Sequence, residues 1–176
     1  ISMANAADGA LREMSNMLVR MRELAIQSLN YTNGQSERST LQEEFSALVS
    51  EVDRIAKTAE FNGTKLLNTA ASKNIHVGKG TTSDDKIRLS TVDVDASTLA
   101  LSSNTVSTAA KASTAIAALD SALNTINTKR GTFGAIVNRL QTTIQSLGDQ
   151  INSTTAAESQ IRDLDVADES AKFSRN

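Results

Sequence analysis

The sequence contains no cysteine among its 176 residues, and it also lacks tryptophan. Without cysteine, the chain can form neither a disulfide framework nor a thiolate zinc site. Aromatic residues make up only 3% of the sequence, so most of the buried surface must come from Leu, Ile, Val, Ala and Met. Such side chains suit long, thin seams between helices.

The sequence also lacks a strong excess of charge of either sign. Eighteen Lys and Arg residues oppose 20 Asp and Glu residues, for a net charge of −2, and no basic cluster is dense enough to follow a phosphate backbone. We therefore expect no nucleic-acid partner. No stretch approaches the run of about 20 apolar residues that a membrane-spanning helix requires, so no membrane partner is expected either.

Residues for catalysis or metal binding are sparse as well. The single histidine, His76, lies on a predicted strand, without cysteine, a second imidazole or an H-E-x-x-H motif. Two acidic groups lack the twelve-residue calcium loop with its central glycine: Asp93 and Asp95, and the C-terminal cluster Asp163, Asp165, Asp168 and Glu169. We interpret both as solvated acidic faces, and predict no metal, no cofactor and no enzymatic activity.

The first part of the chain has the pattern of two paired helices. Apolar or small residues recur at alternating spacings of four and three, which is a heptad seam: Ala7, Leu11, Met14, Leu18, Met21, Ala25 and Ser28. A polar segment containing Asn33 and Gly34 predicts a reversal between Tyr31 and Ser39. A second seam, formed by Leu41, Phe45, Leu48, Val52 and Ile55, predicts a helix over about 39–58, with Ser36 or Ser39 as its N-cap.

The middle of the chain changes from the helical period to short alternating runs. Asn62 and Gly63 favour a backbone turn, because both residue types tolerate positive φ. Two short apolar-polar runs, at 75–77 and 86–89, then predict a β-hairpin within 74–101 that has a long polar loop. The Ser-, Thr- and Ala-rich residues 102–114 are interpreted as a connector.

The strongest periodicity lies in the last part, 115–176. The heptad is held by apolar residues, with Arg130 at one seam position: Ile116, Leu119, Leu123, Ile126, Phe133, Val137, Leu140, Ile144, Leu147 and Ile151. This pattern predicts a helix that starts between about 112 and 115 and reaches at least 152. Forty helical residues would span about 60 Å. Three glycines inside this helix, Gly131, Gly134 and Gly148, each cost about 1 kcal/mol relative to alanine, and we expect close approach of a neighbouring helix in return.

Together these patterns predict a mainly α fold. The expected architecture is a single elongated rod domain over 1–176, in which three long helices pack in the manner of a coiled coil and a β-hairpin is attached. Its parts are an N-terminal helix pair and turn over 1–67, the β-hairpin over 74–101, the connector over 102–114 and the long C-terminal helix over 115–176.

Several segments resemble bacterial flagellin. Arg20-Met21-Arg22-Glu23-Leu24-Ala25-Ile26-Gln27 is similar to that family's V-R-E-L-A-V-Q segment, and Glu60-Phe61-Asn62-Gly63-Thr64-Lys65-Leu66-Leu67 is similar to its E-F-N-G-x-K-L-L signature. In the long last helix, Gly134-Ala135-Ile136-Val137-Asn138-Arg139-Leu140 and Ala156-Ala157-Glu158-Ser159-Gln160-Ile161-Arg162-Asp163 are similar to its G-A-x-Q-N-R-L and A-E-S-R-I-R-D segments. The matches cover most of 1–67 and 112–172, in the order that the family has them.

The resemblance implies a structural subunit of the flagellar filament, which serves motility, is exported through the flagellar secretion channel and is extracellular. Its partners would be other flagellin subunits. The family's terminal segments, which form the inner tube of the filament, and its large outer domains have no counterpart in this chain, so we expect an internal fragment that is a soluble monomer and does not polymerise alone. A flagellin-like hook-filament junction protein is the alternative, and an unrelated helical binding module is a more distant one.

The resemblance also implies recognition of the rod by the flagellin-sensing Toll-like receptor of a host. Arg20, Leu24 and Glu44 occupy the matching positions, and with Glu23 and Gln27 they are predicted to form a strip beside the helix seam, not within it. In this strip Arg20 would offer a planar fork of donors, Leu24 an apolar anchor and Glu44 an acceptor. Without the resemblance, the same charged residues would be interpreted as a solvated helix face or as ion pairs within the rod.

Overall fold

A computed structural model describes the backbone of residues 1–174 and the side chains of 1–162, 170, 173 and 174. Three helices and four short strands follow one another along the chain: α1 (Ser2–Leu29), α2 (Gln35–Thr58), β1 (Glu60–Phe61), β2 (Thr64–Lys65), β3 (Ser72–His76), β4 (Lys86–Ser90) and α3 (Ala109–Phe173). The mainly α fold with three helices and a hairpin is therefore confirmed. Contacts within the chain divide it into two units, 1–137 and 138–176, and the single domain over 1–176 stays a prediction.

Helix α1 buries the predicted seam in full. Every one of its predicted members, Ala7, Leu11, Met14, Leu18, Met21, Ala25 and Ser28, is buried. Three of the five predicted seam residues of α2, Leu41, Phe45 and Val52, are buried too. Because the two helices are joined by a short reversal, these two stripes pack face to face as an antiparallel pair.

The start of α2 differs from the sequence prediction. The helix begins at Gln35, about one turn before the predicted residue 39, and Gly34 is its N-cap in extended conformation. Neither Ser36 nor Ser39 is the cap, because both already lie inside the helix. Glu37 in the first turn favours the helix N-terminus through its charge.

The first part of α3 packs on the helix pair within the unit 1–137. Its buried residues are mostly spaced by three and four: Ala112, Ala115, Leu119, Ala122, Ile126, Phe133 and Ile136. The prediction had placed Leu119, Ile126 and Phe133 in the seam, but not Ile136 or the small residues Ala112, Ala115 and Ala122. The predicted members Ile116 and Leu123 are only half-buried. Two ion pairs join α3 to α1 in antiparallel order, with Arg22 to Asp120 at 2.7 Å and Arg130 to Asp8 at 2.8 Å.

The glycines of α3 do not mark close helix contacts. Gly131, Gly134 and Gly148 all lie within the unbroken helix, and a Cβ atom added at any of them would meet nothing within 4 Å. The expectation of close approach is therefore wrong for the isolated chain. Each glycine lowers the stability of the helix relative to alanine, and no contact among the described residues compensates for this loss.

The β-structure consists of two separate antiparallel pairs. Strands β1 and β2 are joined by a tight turn in which Asn62 and Gly63 have φ values of 48° and 73°, so the predicted Asn-Gly turn is confirmed. Two consecutive residues with positive φ are the geometry that matches strand twist in a two-residue hairpin. Strands β3 and β4 form the second pair, with Asn74 opposite Arg88 and Ile75 opposite Ile87.

Residues 91–108, predicted as the end of the hairpin and a connector, contribute to the core. Their apolar side chains are buried although they belong to no helix or strand: Val92, Val94, Ala96, Leu99, Leu101 and Val106. Helix α3 begins at Ala109, earlier than the predicted 112–115, and the hydroxyl of Thr108 accepts a hydrogen bond from the backbone N–H of Lys111. An N-cap threonine of this kind fixes the helix start.

The second unit, 138–176, contains the remainder of α3, which ends at Phe173. The sequence predicts that Ile144, Leu147 and Ile151 continue the heptad seam, yet Ile144 and Ile151 are exposed. A single helix cannot bury an apolar stripe against itself, so the pattern alone does not place these residues in a core. The acidic cluster at Asp163, Asp165, Asp168 and Glu169 lies outside the described side chains.

Candidate functional site

Three charged residues of the predicted receptor strip form one cluster between α1 and α2. Arg20 donates from Nε to Glu44 at 2.8 Å, and its Nη2 lies 2.7 Å from the same carboxylate oxygen. Its Nη1 donates to Glu23 at 3.3 Å, one helical turn along α1. The side chains of Arg20 and Glu44 are 49% and 45% exposed, so the Arg20 cluster, consisting of Arg20, Glu23 and Glu44, can contact a partner.

Hydrogen bonds within the cluster favour the charged form of Arg20. The hydrogen bonds that Arg20 donates to Glu44 raise the pKa of the guanidinium above its ordinary value, and the bond to Glu23 raises it further. Exposed ion pairs contribute little to folding, since water and salt screen them. The cluster is therefore better suited to orienting three side chains on the surface than to holding the helices together.

Leu24 does not lie on the exposed strip that the sequence predicts. Its side chain is only 1% exposed. Each residue of an α-helix is rotated by about 100° from the previous one, so Leu24 lies about 40° beyond Arg20, on the side of the buried Ser28. The prediction of a surface anchor is corrected: in this structure Leu24 packs beneath the cluster and supports α1.

Gln27 is exposed at the end of the strip. Its backbone carbonyl accepts hydrogen bonds from the backbone N–H of Asn30 at 3.1 Å and from Nδ2 of Asn33 at 2.6 Å. These bonds satisfy one of the carbonyl groups that a helix leaves unpaired at its C-terminus. The strip thus ends where the chain reverses into α2.

The reversal is fixed by a residue that the sequence analysis did not select. Arg38 on α2 donates from Nε to the carbonyl of Ser28 at 2.9 Å, and from Nη2 to that of Asn30 at 3.3 Å. An arginine can cap the last carbonyls of a helix, yet here it comes from the following helix. No spacing rule in the sequence points to such a contact.

A third link ties residues 101–106 to the same end of the helix pair. The hydroxyl of Ser28 donates to the carbonyl of Val106 at 2.5 Å, and the N–H of Val106 donates to Oε1 of Gln42 at 2.6 Å. Val106 is buried, so both backbone groups need partners inside the protein. This explains why the seam position at Ser28 carries a hydroxyl.

Apolar side chains also accompany the cluster on the surface of α1. Val19 and Ile26 are 45% and 46% exposed, and their spacing from Glu23 by four and three residues places the three on one stripe. Both residues fall outside the seam, so the heptad pattern does not identify them. They add exposed apolar surface beside the charges of Arg20 and Glu23.

No group of three or more His, Cys, Asp or Glu side chains that could hold a metal ion occurs in the described part of the chain. Within residues 1–174, no helix is both long and apolar enough to cross a membrane. Asp93 and Asp95 have separate roles: Asp93 forms a β-bridge with Asn68, and Asp95 accepts a hydrogen bond from the N–H of Thr98. Both side chains are only partly exposed, and one carboxylate oxygen of Asp93 is buried, so the interpretation of the two as a solvated acidic face is wrong.

Comparison with known families and structures agrees with this geometry. Residues 1–72 match the family model of the bacterial flagellin N-terminal helical region, and residues 116–176 match that of the flagellin C-terminal helical region. In the solved structure of Bacillus cereus flagellin the same fold recurs with a TM-score of 0.74 and 34% identity, over 82% of this chain and 84% of that one.

Two relatives of similar sequence are flagellar proteins. A flagellin of Halalkalibacterium halodurans is 39% identical over 99% of this chain, which spans 65% of that protein. A flagellar filament core protein of Treponema maltophilum is 34% identical over the whole chain, which spans 67% of it. Flagellin is a structural family, so the prediction that the chain is not an enzyme is confirmed. On these matches, and on the helix packing that underlies them, the chain belongs to the bacterial flagellin family.

Proposed function

We propose that this chain is the helical part of a structural subunit of the flagellar filament, extracellular after export, whose partners are further flagellin subunits. The observation that carries this proposal is the packing of α1, α2 and the first part of α3 along buried seams, in a fold that is similar to that of a known flagellin over most of the chain. A seam of Leu, Met and Phe side chains supplies stiffness. A subunit that repeats along a filament needs such stiffness together with a repeated surface.

Filament growth tests this proposal directly. The chain spans about two thirds of its relatives, so it is joined to the remaining N- and C-terminal segments of the Halalkalibacterium halodurans flagellin to give a completed chain. Short filaments of that flagellin serve as seeds, and elongation is followed by electron microscopy. We expect the completed chain to elongate the seeds and the 176-residue chain alone to remain monomeric. A completed chain that folds but adds to no seed would favour the hook-filament junction alternative.

We further propose that the Arg20 cluster, together with the exposed Gln27, contacts the flagellin-sensing Toll-like receptor. Arg20 is held by Glu23 and Glu44 in one orientation at the surface, which lowers the entropy lost when a partner binds it. Arginine is also enriched among the residues that dominate binding energy. Since Leu24 is buried, Val19 and Ile26 would supply the apolar part of the contact.

A matched pair of double variants tests receptor recognition. Arg20→Ala with Glu44→Ala removes the cluster, whereas Arg54→Ala with Glu51→Ala removes a pair of similar exposure elsewhere on the helices. Reporter cells that carry the receptor should respond to the first variant with a half-maximal concentration about tenfold higher or more, and to the second as to wild type. Circular dichroism must give equal helicity for both. Equal activation by the two variants contradicts the proposal.

Val19→Ser extends the test to the apolar side of the strip. Because Val19 is exposed, this change removes apolar contact surface with little effect on folding. We expect weaker receptor activation together with unchanged thermal unfolding. If Val19→Ser activates the receptor as strongly as the wild type does, the contact is restricted to the charged residues.

A further inference from the structure

The β3–β4 hairpin presents a basic outer face. In this antiparallel pair, directly opposed residues point to the same side, and Ile87 and Leu89 are buried on the inner side. The alternating residues therefore form the outer face, with His76 opposite Lys86 and Asn74 opposite Arg88. All four are exposed, and the strands contain no acidic residue.

The charges of Lys86 and Arg88 are not paired with carboxylates among the described residues, whereas Asp85 interacts electrostatically with His76. No ion pair to Lys86 or Arg88 occurs among the described residues, and Lys86 donates to the backbone carbonyl of Thr81. The neighbouring Asp85 accepts three hydrogen bonds inside the loop, from the N–H of Gly80 and from the N–H and hydroxyl of Thr82, which hold its pKa below the ordinary value. Asp85 thus serves to shape the loop.

The start of α2 carries the opposite charge. Glu37, Glu43 and Glu44 are exposed within about 120° of the helix circumference, and Glu23 adjoins them through Arg20. These four residues are here named the acidic patch. Arg20 is shared between Glu23 and Glu44, while the guanidinium of Arg38 is directed to the carbonyls at the end of α1. Glu37 and Glu43 have no ion pair within the described part of the chain.

The two surfaces lie at different ends of α2. The base of the hairpin is tied to the far end of that helix, since Val92 bonds to Leu66 and Leu66 bonds to Ala59. Glu37 and the last residue of α2, Thr58, are about 30 Å apart along the helix axis. We therefore expect a contact between the basic face and the acidic patch to form between two copies of the chain rather than within one.

We propose that the basic outer face of the hairpin in one subunit docks on the acidic patch of a second copy of this chain. The contact is heterologous, because each copy offers its hairpin to one neighbour and its patch to another. Contacts of this kind propagate into open filaments, whereas a contact between identical patches would close as a dimer. The inference rests on the proposed filament function and identifies the surfaces by which neighbouring subunits meet.

Charge reversal tests the contact in the completed chain. Lys86→Glu with Arg88→Glu reverses the hairpin, and Glu37→Lys with Glu43→Lys reverses the patch; none of these four residues has a side-chain ion pair to lose within the described residues. Either variant alone should raise the critical concentration for elongation by about five- to tenfold, and an equal mixture should restore it, because each reversed surface then faces its complement. The effect should shrink as salt is added.

Lys111→Glu with Lys129→Glu is the control, since it changes the net charge as much as the hairpin variant does. We expect this control variant to elongate filaments with the critical concentration of the wild type. Elongation of both reversal variants at the wild-type concentration contradicts the proposed contact. The contact is also contradicted if the equal mixture does not recover the wild-type critical concentration although circular dichroism shows that both variants are folded.

A crosslink locates the contact independently. The chain has no cysteine, so Arg88→Cys combined with Glu43→Cys introduces two unique thiols. A short bismaleimide added to assembled filaments should join neighbouring copies and give a ladder of multimers on a denaturing gel, while Glu13→Cys with Arg88→Cys should not. Filaments without a ladder overturn the docking contact but leave the filament function intact, whereas a wild-type chain that forms no filaments overturns both.

Discussion

Arg130 on α3 donates a hydrogen bond from Nε to the carboxylate of Asp8 on α1 at 2.8 Å. Arg130 occupies a seam position where the heptad calls for an apolar side chain, and this bond keeps its guanidinium paired where the two helices meet. Arg12 also lies 3.3 Å from Asp8. The hydrogen bond from Arg130, with a smaller contribution from Arg12, holds the pKa of Asp8 below its ordinary value although partial burial opposes this.

Asp8→Asn should lower stability at neutral pH by about 1 kcal/mol, because the ion pairs of Asp8 are partly buried but still reached by water, with the Asp8 side chain 28% exposed. The pKa of Asp8 is lower in the folded chain than in the unfolded chain, so the stabilisation is present above the ordinary value of 3.8 and is lost as pH falls through the lower folded value. Urea unfolding at about pH 7 and about pH 2.5 measures this. The two proteins should differ more at the first pH than at the second.

The exposed Asp149 provides the control for that experiment. Asp149→Asn should unfold as wild type does at both pH values. A difference between Asp8→Asn and wild type that persists unchanged in acid would mean that the effect comes from packing rather than from charge.

Phe45→Ala should destabilise the helix pair by about 3–5 kcal/mol, since it removes a fully buried aromatic ring and leaves a cavity in the seam. Phe61→Ala is the matched variant, because Phe61 lies on β1 and is exposed. Its cost should be well under half of that value. Chemical unfolding followed by circular dichroism compares the two, and similar costs would be incompatible with the packing described here.

Arg38→Met should cost about 1 kcal/mol, because it removes the donors that cap the carbonyls of Ser28 and Asn30 while keeping the length of the side chain. Amide hydrogen exchange should rise first in the last turn of α1. Arg54→Met, at an exposed arginine paired with Glu51 on the same helix, should change neither stability nor exchange in α1. Unchanged protection of α1 in Arg38→Met would show that the cap is dispensable.

Gly131→Ala and Gly134→Ala should each stabilise the isolated chain by about 1 kcal/mol, since alanine favours the helix and the added methyl group meets no neighbour. For a protein of this size the melting temperature should rise by about 2–4 °C per change. Gly63→Ala is the opposing control, because φ at Gly63 is 73°, and alanine there should cost about 1 kcal/mol. Loss of stability in either helix variant would reveal a contact that the chain makes at that glycine.

Much of the helical packing could be predicted from periodicity alone. All seven predicted seam residues of α1 are buried, because residues at spacings of four and three share one face of a helix, although Leu24 is buried as well. The seam of α3 was assigned partly to its larger side chains, Ile116 and Leu123, whereas Ala115 and Ala122 are the buried ones. A small residue buries completely where helices approach closely, and hydrophobicity alone does not identify such a place.

The candidate site was predictable in part. Arg20, Glu23 and Glu44 come together because the predicted pairing of α1 with α2 places them side by side. The burial of Leu24 and the exposure of Val19 and Ile26 were not predicted, since a leucine one turn from an arginine is compatible with either environment. The roles of Arg38, Gln42 and Val106 were also missed, because each depends on a contact with a distant part of the chain.

The sequence by itself determined the helices, the Asn62-Gly63 turn and the positions of the hairpin strands, because these depend on local backbone preference and on the period of apolar residues. The tertiary structure decided which carboxylate pairs with Arg130, which residues of the strip face water, and how residues 91–108 become buried. Those outcomes depend on distances between side chains far apart in the chain. The local sequence pattern carries no information about such distances, which are set only when the helices and strands pack together.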